Sequence, residues 1–236
     1  MGIPIYRPQV DVSFYDFEYY GDREFNSSVS QLVASDRLNE LSRVLNNGIS
    51  RILDIGSGPA DLDKLLIRDY PHCQIYTTDI SYDLLRILKE KGANNHTLAD
   101  ACNLPFRKES FDLVILSEII EHVSNPHLII EEAHRVLSEN GHLYVSTPNK
   151  YSLASIKGRD YFLDKDKSHT FVPSKSDVKN LLSGYFDIVR HTTLLFDFLK
   201  KDRLRELFGP IYIPHFGLSQ RVIAVKKLIP LEKMES

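Results

Sequence analysis

The stretch Arg51 to Leu66, RILDIGSGPADLDKLL, limits what this chain can fold into more than any other. Ile52-Leu53-Asp54-Ile55 is a short apolar run holding β-branched residues and one acid, which predicts a strand. Gly56-Ser57-Gly58-Pro59 then turns the chain, and Leu62, Leu65 and Leu66 fall on one face of a helix. Strand, glycine turn and helix in that order bring backbone N–H groups and a helix N-terminus close to a ligand. Glycines two positions apart allow the sharp turn and keep side chains out of the ligand's way. A pyrophosphate loop reads G-x-G-x-x-G, and its third glycine would fall at Asp61. A carboxylate there repels pyrophosphate, which argues against a nicotinamide-dependent oxidoreductase. Asp54, inside the strand, suits a cationic ligand better than a phosphate.

Read as Leu53-Asp54-Ile55-Gly56-Ser57-Gly58-Pro59-Ala60, the turn resembles the first motif of the class I S-adenosylmethionine-dependent methyltransferases, with Ala60 where that family usually has its last glycine. S-adenosylmethionine carries a sulfonium and an ammonium but no phosphate. Gln74 to Asp79 predicts a second strand ending in an acid. Asp79 lies roughly 20 residues or a little more past the turn, where an α/β nucleotide site holds its ribose acceptor. A carboxylate there accepts from both ribose hydroxyls; the other reading is a solvated strand-end acid that caps the next helix. Asp79-Ile80-Ser81 resembles the family closely. Asp100-Ala101 followed by Leu104-Pro105-Phe106 resembles its adenine-contacting segment, with an acid for the exocyclic amine and apolar side chains for the ring face. The resemblance implies a donor site made by Asp54, Gly56, Ser57, Gly58, Asp79, Ile80, Asp100, Ala101 and Ser117.

Around these motifs the pattern alternates. A helix is expected from Asn26 to Asn47, a helix from 82 to 91 capped by Ser81 and stopped by Gly92, and a strand from Asn95 to Ala101. Phe111 to Ser117 is the most apolar strand and belongs at the sheet centre. Pro126 opens a helix that Gly141 closes, and His142 to Thr147 is the fifth strand. Ser174 to Asp177 reads as a capping box for a helix through Leu182. Tyr185 to Phe196 predicts a strand, Phe198 to Phe208 a helix, Pro210 to Leu218 a loop, and Arg221 to Ile229 the last strand. The expected fold is a doubly wound α/β sheet of seven mostly parallel strands, ending in an antiparallel one as the resembled family does. One methyltransferase domain over residues 1–236 is expected. An aromatic lid or substrate segment at 1–28 and substrate-side insertions at 149–172 and 197–218 belong to it.

The acceptor chemistry points to the mouth of the fourth strand, because ligands gather at the carboxyl ends of strands. There Glu118, Glu121 and His122 form E-x-x-E-H. Two carboxylates and an imidazole within one turn suit a divalent cation, with His169 folding back to complete the set. The pattern resembles that of metal-assisted small-RNA 2′-O-methyltransferases and ubiquinone-pathway O-methyltransferases. The rival reading leaves out the metal, with His122 and Glu121 serving the acceptor by hydrogen bonds. His134 reads as a surface histidine, and Asp112, Glu131 and Glu132 as solvated charges.

Composition bounds the partners. At 42% hydrophobic the chain can bury a full core, and its formal charge of −3 gives no general attraction to nucleic acid or anionic membrane. A local basic cluster at Lys157, Arg159, Lys165 and Lys167 keeps RNA in view as an acceptor. Cys73 and Cys102 lack a metal-ligand spacing and read as reduced thiols. No run reaches the length of a membrane span and no signal peptide is visible, so a cytoplasmic protein is expected. A small-molecule or lipid-linked methyl acceptor and a non-catalytic binding module on the same fold are the remaining alternatives.

Overall fold

The computed structural model describes residues 28–90, 95–152, 168–194 and 219–228. The aromatic segment before Ser28, the helix expected from Phe198 to Phe208, the loop after it and the Lys157 to Lys167 cluster lie outside those residues. In chain order the elements are α1 (Ser28–Leu45), β1 (Arg51–Ile55), α2 (Asp61–Asp69), β2 (Gln74–Asp79), α3 (Tyr82–Glu90), β3 (His96–Leu98) and β4 (Phe111–Ser117). They continue with α4 (Pro126–Val136), β5 (Leu137–Pro148), α5 (Lys175–Ser183), β6 (Phe186–Leu194) and β7 (Ser219–Lys226).

The seven strands form one sheet in the order β3-β2-β1-β4-β5-β7-β6. Strands β3, β2, β1, β4 and β5 run parallel, and β7 pairs antiparallel with both β5 and β6. The chain leaves β1 toward β2, then crosses back to place β4 on β1's other side. That reversal opens a crevice at the carboxyl ends of β1 and β4. Alternate side chains feed the two faces. Ile52, Ile75, Leu113, Ile115, Tyr144 and Ile223 pack under α1 and α2. Leu53, Ile55, Val114, Leu116, Leu143 and Val145 pack against α4 and α5. Strand β4, buried on both faces, is the centre expected from its sequence.

The caps are those the sequence offers. Asn125 accepts from His127 N at 3.2 Å ahead of Pro126, and Ser174 and Asp177 close a reciprocal capping box. The expected β3 shrinks to three residues, because Asp100 turns the chain through its own Oδ1, which accepts from Cys102 N at 2.8 Å. The helix opened by Pro126 ends at Val136 rather than at Gly141. Leu137 already pairs with Phe111, and residues 138–141 bulge before His142 meets Leu113. Asn140 turns that bulge at φ 60°. Gly141 lies inside it because a Cβ would sit 2.8 Å from Ser138 O.

Of four side chains expected at the surface, Asp112 and Glu132 are half-buried and His134 is buried, while Glu131 stays exposed. Asp112 accepts from Ser50 N, Ser50 Oγ, Arg51 N and Arg51 Nη2 at 2.9 to 3.1 Å and from Ser138 Oγ at 3.3 Å, tying the bulge to the start of β1. Burial raises its carboxyl, but the Arg51 and Ser50 bonds outweigh that and hold it below the usual range. Glu132 receives Leu104 N at 2.6 Å and, with Arg135, clamps the 104–106 loop. Glu131 accepts from Tyr185 Oη at 2.8 Å, and His134 is buried with Nε2 2.9 Å from Lys227 O. Asp112, Glu132 and His134 have partners far away in sequence, so local polarity read as exposure.

Replacing Asp112 by alanine leaves several backbone and side-chain donors unmet. The expected loss is about 1–3 kcal/mol in a urea unfolding curve, with an unchanged slope. A variant as stable as the parent would show that the bulge stands without this carboxylate.

Candidate active site

Four neighbouring strands change character on the α1/α2 face as they near their carboxyl ends. Ile52 gives way to Asp54, Ile75 to Thr77 and Asp79, Ile115 to Ser117, and Tyr144 to Ser146. The side-chain period of two places these polar groups on one face. Asp54 Oδ1, Ser57 Oγ, Ser117 Oγ, Ser146 Oγ and Glu121 Oε1 are buried there without a hydrogen-bond partner among the described residues. Buried polar atoms are rarely left unpaired, so this end of the sheet is built for a polar ligand.

The turn after β1 supplies the cradle. Gly56 and Gly58 sit at φ 68° and 54°, the left-handed region glycine enters at little cost, and Ala60 follows at 55° to start α2. Nothing lies within 4 Å of where a Gly58 Cβ would point. Gly58 N donates to Asp79 Oδ2 at 3.3 Å and Ser81 N to Oδ1 at 2.9 Å, so Asp79 faces the turn. Two bonds leave a carboxylate further acceptor sites. Burial lifts Asp79 to about 6 against the pull of backbone bonds from Ser81, Gly58 and Ile80. Asp54 is raised well above the carboxylate range by burial and then by Asp63, a residue the sequence reading passed over.

Just past β3, in the segment expected to contact adenine, Ala101 is buried and Asp100 is half-buried. Leu104 belongs to the core, and Phe106 packs edge-on to Phe111 at 5.0 Å between ring centroids. The described contacts of these two apolar residues are therefore internal.

The loop after β4 begins one step from the glycine turn. Ile119 Cδ1 lies 2.5 Å from where a Gly56 Cβ would stand, so the loop after β4 rests on the glycine turn. Glu118 opens that loop at φ 51°, a left-handed backbone that costs a non-glycine residue on the order of 1–3 kcal/mol, with its N–H on Ser146 O at 2.9 Å. Its carboxylate goes to Arg37 of α1 at 3.3 Å. Glu121 is fully buried, with Oε2 accepting from Thr147 Oγ1 at 2.9 Å. Burial and then Glu118 raise its carboxyl well above the usual range. His122 Nδ1 lies 2.8 Å from Ser168 Oγ, and its ring stands 4.8 Å from that of His169. Thr170 pins the returning chain by donating from N to Glu121 O at 2.8 Å and from Oγ1 to Val123 O at 3.0 Å. Ligand atoms of Glu121, His122 and His169 all come within 4.8 Å of one another.

Of the four metal-ligating residues expected from sequence, three therefore converge. Glu118 does not join them; the Arg37 guanidinium takes it. Arg37 also works against the rise at Asp54 and Glu121 without cancelling it, so one cation from α1 bears on three acids. Arg37, Asp63, Thr147, Ser168 and Thr170 are the site residues the sequence reading missed. Arg37 had a signal: it stands four residues from both Val33 and Leu41, a charge set into the apolar stripe of α1. Among the described residues no helix is long and apolar enough to cross a membrane.

Known proteins agree with this frame. Residues 53–145 match a family described as a methyltransferase domain. The chain is 29% identical over 167 residues to a demethylmenaquinone methyltransferase of Thermotoga maritima, covering 70% of each chain. It is 32% identical over 130 residues to a malonyl-[acyl-carrier protein] O-methyltransferase of Legionella pneumophila, covering 53% of this chain and 45% of that one. The structure of a SAM-dependent methyltransferase from Archaeoglobus fulgidus superposes with a TM-score of 0.65 over 90% of this chain and 100% of the other, at 19% identity, a likeness of fold. The glycine turn facing a strand-end acid lies within this matched segment: residues 53–145 carry a methyltransferase domain, on the fold that S-adenosylmethionine-dependent methyltransferases share.

Proposed function

We propose that this enzyme methylates an oxygen of a small or lipid-like acceptor, with Glu121, His122 and His169 at the acceptor side. The observation that carries the proposal is the contact of Ile119 with Gly56. It brings those three side chains, two and three residues further along the loop or docked on it, beside the turn that receives the methyl donor. S-adenosylmethionine supplies a methyl group on a good leaving group, so alignment dominates the barrier. Holding the two partners in line is worth roughly 7–11 kcal/mol. The protein's part is to fix the donor, with Asp79 for the ribose hydroxyls, Asp100 for the adenine amine, and Gly56, Ser57, Gly58, Ile80, Ala101 and Ser117 lining the cradle. Asp54 takes the cationic end.

An acceptor hydroxyl must also lose its proton, and a positioned base adds roughly 10²- to 10⁴-fold. His122 is suited to that when Nδ1–H donates to Ser168 Oγ and Nε2 carries the lone pair. Glu121, buried and raised, is the second candidate. The same three side chains fit a divalent cation: one carboxylate with an unmet oxygen and two imidazoles. Such an ion, when bound there, contributes Lewis acidity toward the acceptor oxygen. The relatives named for demethylmenaquinone and malonyl-acyl-carrier-protein methylation support an acceptor other than RNA, as does the net charge of −3. The free thiols Cys73 and Cys102 fit a cytoplasmic setting.

Calorimetry with S-adenosylmethionine and S-adenosylhomocysteine tests the donor half: both bind, and Asp79→Asn weakens both about 10- to 100-fold, the worth of charge-assisted bonds to the ribose. Absence of binding at millimolar ligand overturns the reading. For the acceptor half, labelled donor is offered with hydroxylated quinones, acyl carriers and RNA, with and without a chelator. Turnover on a small acceptor is expected, and turnover on RNA alone contradicts it. Loss of turnover on chelation assigns the ion, and unchanged turnover removes it. Ser168→Ala is expected to lower turnover about 10- to 100-fold by freeing the His122 ring, and to displace the acidic limb of the pH–rate profile. An unaltered profile would leave Ser168 a packing residue.

A further inference from the structure

Asp63 stands in the first turn of α2, where an acid is ordinary, but it is buried, and its surroundings are not those of a helix cap. Thr77 Oγ1 donates to its Oδ2 at 2.8 Å. Its other oxygen has no donor, and neither has Asp54 Oδ1. Thr77 stands beside Asp54 in the β1–β2 register, so its bond to Asp63 sets the two buried carboxyls side by side, and each shifts the other's proton affinity. Two carboxylates in contact, away from water, do not both stay ionised; one proton shared between them makes the missing hydrogen bond. The other charges that bear on the pair are Arg37 from α1, Asp79 from the end of β2 and Lys64 next along α2. Arg37 is already committed to Glu118 at 3.3 Å. Thr77 on β2 is the neutral donor.

We propose that the Asp54–Asp63 pair holds one proton in the free enzyme and releases it to solvent as the cationic end of S-adenosylmethionine arrives, so that donor binding is coupled to proton release. The inference rests on the donor reading above and adds to it a positioning role for Asp63, which acts through Asp54. Before binding, the pair is one carboxylic acid and one carboxylate sharing a hydrogen. A positive charge beside Asp54 favours the ionised form, the proton leaves to the buffer, and both carboxylates remain. Burial raises both groups, with Asp63 at about 6, so the linkage falls near neutral pH. The sign follows: donor affinity climbs as pH rises through the pair's range and levels off above it.

The test is titration calorimetry of the full chain with S-adenosylmethionine at about pH 6.5, in two buffers with different heats of ionisation. The wild-type heat is expected to differ between buffers in the sense of proton release, with affinity improving by up to about tenfold per pH unit below the plateau. In Asp63→Asn the new amide donates to Asp54 and fixes it ionised. Donor still binds, while the buffer dependence and the pH slope go. That variant also separates this pair from the other ionisable groups of the site. Should it fail to fold, Thr77→Val serves: without the hydroxyl the pair grips its proton harder, and the affinity midpoint moves to higher pH. Binding whose heat is the same in both buffers overturns the proton linkage and leaves the donor reading intact, as does an Asp63→Asn protein that keeps the full buffer dependence or a Thr77→Val midpoint that does not move. No binding in either buffer overturns the donor reading itself.

Discussion

Buried negative charge, gathered at one end of the sheet, is the constraint on which the rest of this structure depends. Asp54 and Asp79 end β1 and β2, Glu121 follows β4, and Asp63 lies against Asp54 from α2; all four are enclosed. Enclosing a carboxylate costs several kcal/mol unless a cation, a proton or converging donors compensate. The protein compensates in three different ways. Asp79 receives the backbone of the glycine turn and of Ser81, Asp54 shares with Asp63, and Glu121 has Thr147 with Arg37 at longer range. What is left over is an appetite for positive charge, which a sulfonium nucleotide meets and a dinucleotide does not.

The fold makes that arrangement possible by giving the acids an apolar foundation. Each strand is anchored by residues such as Ile52, Ile75, Leu113 and Ile115, which pack under α1 and α2, and only the last one or two positions turn polar. On the opposite face β1 and β4 stay apolar to the end, with Ile55 and Leu116 joining α4 and α5 in the core, while β2 and β5 end in the uncharged Thr78 and Thr147. The charged end is therefore one-sided, and it faces the helix that carries Arg37. The loop after β4 then leads away from the glycine turn: Ile119 sits on the turn, Glu118 is drawn off toward α1, and Glu121 and His122 are left for the returning chain at Ser168 to Thr170.

Much of this was legible before the coordinates. The glycine turn, the strand-end acids Asp54 and Asp79, and the E-x-x-E-H loop are local patterns whose spacing dictates their geometry. The strands and caps around them follow the same rule, since periodicity and capping are short-range. What the sequence hid was long-range pairing. Asp112 reads as solvated until Ser50 and Arg51 come alongside it, and Glu132 until the 104–106 loop does. Glu118 reads as a third ligand until α1 delivers Arg37. Asp63 looks like a first-turn acid on a helix, and only the packing of α2 on β1 and β2 reveals its company. Gly141 misled for a related reason: it reads as a helix stop, while its lack of a Cβ is used inside a bulge that β4 imposes.

The central claim is that the acid-lined crevice between β1 and β4 receives the nucleotide of the methyl donor. A crystal structure with S-adenosylhomocysteine bound tests this most directly. The account predicts ribose hydroxyls on Asp79, the amino group of the ligand beside Asp54, and its sulfur turned toward the loop of Glu121 and His122. A nucleotide lodged elsewhere, with Asp79 still bonded only to backbone N–H groups of the protein, would contradict it.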